Sequence, residues 1–200
     1  IDNMMNLELL CWAADHGGDP YLRQIAIEHT ESTIKNHYRP DYSSYHVVDY
    51  DPQTGNVIKK VTHQGYSDES AWSRGNVWGF YGFITMYRFT KDKRYLDQAI
   101  NIGNFLLNHK NLPKDKVPYW DFDSKDIPNT YRDASAAAIM ASALLELGQY
   151  VGKKDRNRYV KNAEIMIRSL SSNDYFAQPN TNGGFLLMHS VGSIPQNNEV

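Results

Sequence analysis

Asp92-Lys93-Arg94-Tyr95-Leu96 decides the fold, because it joins an apolar helical run to an amphipathic one and its pattern comes three times. The other two copies are Asp19-Pro20-Tyr21-Leu22 and Asp155-Arg156-Asn157-Arg158-Tyr159-Val160. Each reads as a short polar turn, with the tyrosine opening the helix that follows. Before each turn lies a small apolar helix, over roughly Met4 to Asp15, Ser70 to Phe89 and Ala134 to Tyr150. After each turn the apolar residues fall on one helical face, over roughly Tyr21 to Lys35, Tyr95 to His109 and Tyr159 to Ser171, as Ile102, Phe105 and Leu106 illustrate. The pattern is three helical hairpins.

Ala134-Ser135-Ala136-Ala137-Ala138 crowds small residues where close helix packing needs them, so the first helices form an inner ring and their amphipathic partners an outer one. Closing such a ring takes about six hairpins, and three leave an open arc with apolar edges. The expected fold class is therefore all-α. Residues 1–200 are expected to form one partial domain of a larger toroid, with a three-repeat solenoid as the alternative.

Composition bounds the partners. The 200 residues are 41% hydrophobic and 22% charged, within the range of globular domains, with a formal net charge of -2. Lysine and arginine are scattered among acids, which leaves no basic footprint for nucleic acid or anionic lipid, and no run is long enough to suggest a membrane span. The single Cys11 lies on an apolar helical segment, cannot pair within the chain and reads as a small core residue. It leaves the compartment open.

Ala71-Trp72-Ser73-Arg74-Gly75-Asn76-Val77-Trp78 is where the chemistry is densest. The helix is expected to open near Ser67, with Asp68 and Glu69 in its first turn where the macrodipole favours carboxylates. Arg74 and Trp78, four apart, are neighbours on its surface. A guanidinium pairs a carboxylate bidentately and an indole offers a flat face to a sugar ring, so the pair suggests an acidic sugar. A structural ion pair and a core tryptophan fit the same residues equally well.

Two connections, Asn36 to Ser67 and Lys110 to Asp133, are longer than packing requires and are expected to carry function. The first holds a β-hairpin: His46-Val47-Val48-Asp49-Tyr50, a turn over 51–56, and Val57-Ile58-Lys59-Lys60-Val61. The second is aromatic and acidic at Tyr119-Trp120-Asp121-Phe122-Asp123, read as a structural loop in preference to an acidic sugar site. No histidine or carboxylate grouping has metal-ligand spacing, and no cofactor is expected.

Five motifs in order, Asp2-Asn3-Met4-Met5-Asn6-Leu7, Thr62-His63-Gln64-Gly65-Tyr66, Ser70-Ala71-Trp72-Ser73-Arg74-Gly75, Pro118-Tyr119-Trp120-Asp121-Phe122 and Arg132-Asp133-Ala134-Ser135-Ala136-Ala137, resemble the unsaturated glucuronyl hydrolases, glycoside hydrolase family 88. The resemblance implies an (α/α)6 toroid, of which this chain is about the C-terminal half. It also implies the substrate, an oligosaccharide ending in a uronic acid with a C4=C5 double bond, left by polysaccharide lyases. Asp2 then matches the catalytic aspartate, which protonates C4 and serves as base toward water. A second aspartate is implied upstream of this chain. His46, Gln64, Arg74 and Trp78 match substrate-binding positions, with Arg74 on the uronate carboxylate, Gln64 assisting, His46 on sugar oxygens and Trp78 giving ring contact. Asp2, Gln64, Arg74 and Trp78 are expected to line one cavity near the ends of the inner helices. On the residues alone, an aspartate at a helix start is more often a cap and a histidine on a strand more often packed.

Two departures qualify the match. Arg74-Gly75-Asn76-Val77-Trp78 stands where many members read Arg-Gly-Gln-Ala-Trp, and its Arg-Gly-Asn spelling is similar to family 105, the unsaturated rhamnogalacturonyl hydrolases. Ser190-Val191-Gly192-Ser193 is similar to a Ser-x-x-Ser-x-Lys substrate loop tied to sulfated sugars, so Ser190 and Ser193 are candidate loop residues, but Pro195 occupies the lysine position. A family 105 enzyme and a noncatalytic helical-repeat binding module are the competing readings.

Overall fold

A computed structural model describes residues 1–196 and the backbone of Asn198–Glu199. Six α-helices form three hairpins: α1 (Asn3–Asp15) with α2 (Tyr21–His37), α3 (Ser73–Thr90) with α4 (Lys93–Asn108), and α5 (Ala134–Leu147) with α6 (Lys153–Leu170). The β-hairpin lies between the first two pairs, with β1 (Val47–Tyr50) antiparallel to β2 (Val57–Val61). After α6 come a 3-10 turn at Asn182–Gly184, β3 (Val191–Ser193), a second 3-10 turn at Ile194–Gln196 and β4 (Asn198–Glu199) paired with β3.

α3 lies between α1 and α5 and packs on both, while α2, α4 and α6 each back their own partner, so the inner and outer layers are those expected. Helices approach closely only where side chains are small. A Cβ added at Gly82 meets the Cβ of Met4 at 2.6 Å and its carbonyl oxygen at 2.7 Å, so at this point the backbones of α1 and α3 approach closely and tolerate nothing larger than hydrogen. One continuous core then joins Met4, Leu7 and Cys11 of α1 to Phe80, Phe83 and Ile84 of α3, Met140 and Leu144 of α5, and the inward faces of α4 and α6. At the far ends of the inner helices Arg88 Nη1 pairs with Glu8 at 2.8 Å and its Nε with Glu146 at 2.9 Å, one α3 side chain bridging α1 and α5. Such half-exposed pairs add little stability singly, but a shared guanidinium fixes how the three helices are rotated.

Two expectations about the turns are corrected. The tyrosines are not equivalent: Tyr21 is exposed at the start of α2, whereas Tyr95 and Tyr159 are fully buried inside α4 and α6. In the second hairpin Lys91 closes α3 in the left-handed conformation and Asp92 caps α4 through the Arg94 amide, 2.9 Å away. In the third the turn comes earlier, at residues 148–152, so that Asp155 sits in the first turn of α6 where its charge suits the helix dipole.

The start of α3 is the larger correction: it is Ser73, not Ser67. Ala71 and Trp72 are extended against the second long connection, with Phe122 N donating to Ala71 O at 3.0 Å and Ser73 N to Trp120 O at 3.1 Å. Asp121 and Asp123 enforce this. The fully buried Asp121 accepts from Tyr66 N at 2.9 Å and Ser70 Oγ at 2.7 Å, and Asp123 from Ala71 N at 2.9 Å. Burial pushes the Asp121 carboxyl above its ordinary range, opposed by those hydrogen bonds. These carboxylates build the loop, the role expected of them. Asp68 and Glu69 serve other partners, Asp68 accepting from Thr62 N at 2.8 Å and Glu69 lying 3.5 Å from Arg39. Among the described residues no helix is long and apolar enough to cross a membrane.

Candidate active site

The first residues of α1 and α3, the two long connections and the segment around β3 meet at one end of the inner layer. Asp2 precedes α1 with helical φ and ψ, a conformation in which its side chain makes no cap hydrogen bond. Its carboxyl is half-exposed through one oxygen. Oδ1 is buried with no partner among the described residues, and Oδ2 lies 3.6 Å from His46 Nε2.

His46 is placed by the chain on both sides of it. Its carbonyl accepts from Ile1 N at 2.8 Å, tying the approach to β1 against the approach to α1. Its Nδ1 faces the amide donors of His63 at 3.2 Å and Gln64 at 3.3 Å, with Thr62 Oγ1 also at 3.2 Å. Backbone N–H groups only donate, so Nδ1 accepts and the proton of the neutral ring is on Nε2, the nitrogen facing Asp2. The ring leans on Trp72 with centroids 4.3 Å apart, and the guanidinium of Arg74 lies 5.0 Å from the Trp72 ring. The resulting row is Asp2, His46, Trp72, Arg74.

Arg74 is held from three directions. Nη1 donates to Asp133 Oδ2 at 2.8 Å and to the carbonyl of Val191, and Nη2 donates to the carbonyl of Gly192 at 2.9 Å. Gln64 Nε2 donates to the same Gly192 carbonyl at 2.8 Å, so the two side chains converge on one backbone atom. Trp78 is half-buried one turn further along α3. A cavity of about 430 Å³ at Asp2 is lined by Asn3, His29, His37, His46 and β1 residues; Gln64, Arg74 and Trp78 are not among its lining. Within it, burial pushes the His37 imidazole down to about 3. Ser190 lines a separate cavity of about 570 Å³ with Arg132 and His189, while the buried Ser193 bonds the Gln196 side chain.

Two members of this assembly escaped the sequence. Trp72, two residues before Arg74, does not face it on any helix; it reaches the guanidinium because residue 72 is still extended and folds back. Asp133 was visible only as part of a motif, and its ion pair joins residues far apart in the chain.

Stacked α-hairpins with an aspartate and an anchored arginine at one end of the inner layer define an (α/α) toroid, here as a three-hairpin arc. No family model matches the chain. An unsaturated glucuronyl hydrolase of Formosa agariphila is 46% identical over 200 residues, which are 100% of this chain and 49% of that protein. A crystal structure described as an unsaturated glucuronyl hydrolase specific for heparin superimposes with a TM-score of 0.95 at 46% identity, over 99% of this chain and 53% of that one. A variant of the Streptococcus agalactiae unsaturated glucuronyl hydrolase complexed with dGlcA-GalNAc6S matches at a TM-score of 0.85 and 36% identity, over 99% and 53%. The chain belongs to the unsaturated glucuronyl hydrolase family and spans about half the length of the curated relatives it matches.

Proposed function

We propose that the protein containing this chain removes an unsaturated uronic acid from lyase-generated oligosaccharides of glycosaminoglycan type, by hydrating the C4=C5 enol ether. Asp2 gives its proton to C4, which places oxocarbenium character on C5 and the ring oxygen. Water, deprotonated by the Asp2 carboxylate, adds at C5. The resulting hemiketal opens to a keto acid and frees the neighbouring sugar. The anomeric carbon is never attacked, so the carboxylate-separation rule of ordinary glycosidases has no bearing on the outcome.

The observation that carries this reading is the Asp2 carboxyl itself, released from helix capping, with one oxygen unpartnered and the other beside the N–H of His46. Arg74 supports an anionic substrate. Of the five N–H donors of a guanidinium, its three protein acceptors leave two, Nε–H among them, for a carboxylate. Gln64, His46 and Trp78 belong to the same proposal as sugar contacts, and Ser190 and Ser193 as a loop near the leaving sugar. Ultraviolet absorbance of the conjugated double bond tests it in the full-length gene product. Glycosaminoglycan-derived unsaturated disaccharides should lose their absorbance; loss only with pectin-derived ones assigns the chemistry of family 105, and no loss with either leaves a binding module.

A further inference from the structure

We propose that Asp133 is a positioning residue for Arg74, holding the guanidinium so that its unclaimed N–H groups meet the carboxylate of the sugar; this rests on the site reading above. The two oxygens of Asp133 have separate duties. Oδ1 accepts from Ala136 N at 3.1 Å and from the Ser135 hydroxyl, which caps α5, and Oδ2 takes the Arg74 Nη1 at 2.8 Å. A cap needs only the first. The second oxygen turns the start of α5 into an anchor for a side chain on α3.

The pair is shut away from water, with the Asp133 side chain fully buried and that of Arg74 14% exposed. A guanidinium pinned there cannot swing to follow a substrate. Carbonyls of Val191 and Gly192 hold two more of its N–H groups, and Gln64 holds the Gly192 carbonyl in turn. Charge does not cancel the site's appetite for anions. Asp133 lies at the positive end of the α5 dipole and accepts two further hydrogen bonds there, so part of its charge is already offset and the guanidinium keeps a net attraction for a second carboxylate.

The test is a double-mutant cycle in the full-length gene product, read by absorbance loss and normalised to folded protein. Asp133→Asn keeps an acceptor for Ala136 and removes the negative charge that faces Arg74. It should lower kcat/KM about 10- to 100-fold, the cost of a small misplacement of a binding group, with part of the loss appearing as a raised KM. In an Arg74→Lys background, where the fork is already lost, the same change should cost less than about twofold. Ser135→Ala, which disturbs only the capping side, should leave kcat/KM within about twofold. An equal loss from Asp133→Asn in both backgrounds, or a loss from Ser135→Ala matching that of Asp133→Asn, makes Asp133 a helix cap and overturns the proposal. A parent protein that turns over no unsaturated disaccharide overturns the activity first and the positioning role with it.

Discussion

Asp2 and Asp133 stand at the same place in two hairpins, immediately before an inner helix, and the fold uses them in opposite ways. Asp133 is extended, fully buried and fully bonded, to Ala136 N, to Ser135 and to Arg74. Asp2 is already helical in backbone and half-exposed, and its side chain bonds no amide of its helix. The difference lies in which lone pairs the fold has already used. A carboxylate that accepts from an amide, a hydroxyl and a guanidinium has its lone pairs committed; the Asp2 carboxyl, with Oδ1 unpartnered and Oδ2 beside an imidazole, keeps its own uncommitted. Two aspartates that look alike from the sequence thus differ in what the fold leaves free, and the proposed proton transfer falls to the one with uncommitted oxygens.

The comparison breaks most sharply through Asp133→Ala. Loss of this carboxylate leaves a largely buried guanidinium without its counter-charge and α5 without its cap, and should cost about 3 kcal/mol of unfolding free energy in denaturant titrations. A cost under about 1 kcal/mol would mean that the pair contributes little. Arg74→Lys comes next. One ammonium cannot serve three acceptors arranged around a planar fork, so stability should fall by about 1–2 kcal/mol and uronate binding with it; unchanged binding would assign Arg74 to structure alone.

Asp92 sharpens the comparison at an ordinary cap. Hydrogen bonds from the Arg94 side chain and then its amide hold the Asp92 carboxyl below its usual 3.8. A depressed folded pKa contributes stability that is present above the unfolded value and fades as pH falls through the folded one. Asp92→Ala should therefore destabilise by up to about 1 kcal/mol at neutral pH, and thermal melts of parent and variant should converge towards pH 2. The smallest effect belongs to Asp2→Ala, which removes no cap and should leave stability within about 0.5 kcal/mol. A larger loss would return Asp2 to the structural class.

Much of this was legible in the chain, for reasons of range. The three hairpins, their inner and outer character and the β-hairpin rest on local periodicity and small-residue crowding, and the structure carries them within a few residues. Ala71-Trp72 could not be read that way, because its extended form is imposed by Trp120 and Phe122 from the next connection and overrides the acidic residues that suggested a helix start. The same crossing puts Trp72, rather than Trp78, against the Arg74 guanidinium. Nor does any spacing announce that Asp133 pairs with Arg74 or that Gln64 and Arg74 share the carbonyl of Gly192; such pairs arise only when three separate loops close on one helix end. Asp2 shows the limit most plainly, since residue type and position favour a cap and only the backbone angles and missing hydrogen bond say otherwise.

The central claim, that Asp2 moves protons and caps nothing, is tested most directly by Asp2→Asn in the full-length gene product. The amide keeps the shape and hydrogen-bonding reach of the carboxyl but cannot deliver its proton or take one from water. With an unsaturated glycosaminoglycan disaccharide, absorbance loss should slow by about 10²- to 10⁴-fold while calorimetric binding of the same disaccharide and the melting temperature stay close to the parent's. Hydration at the parent rate would contradict the account.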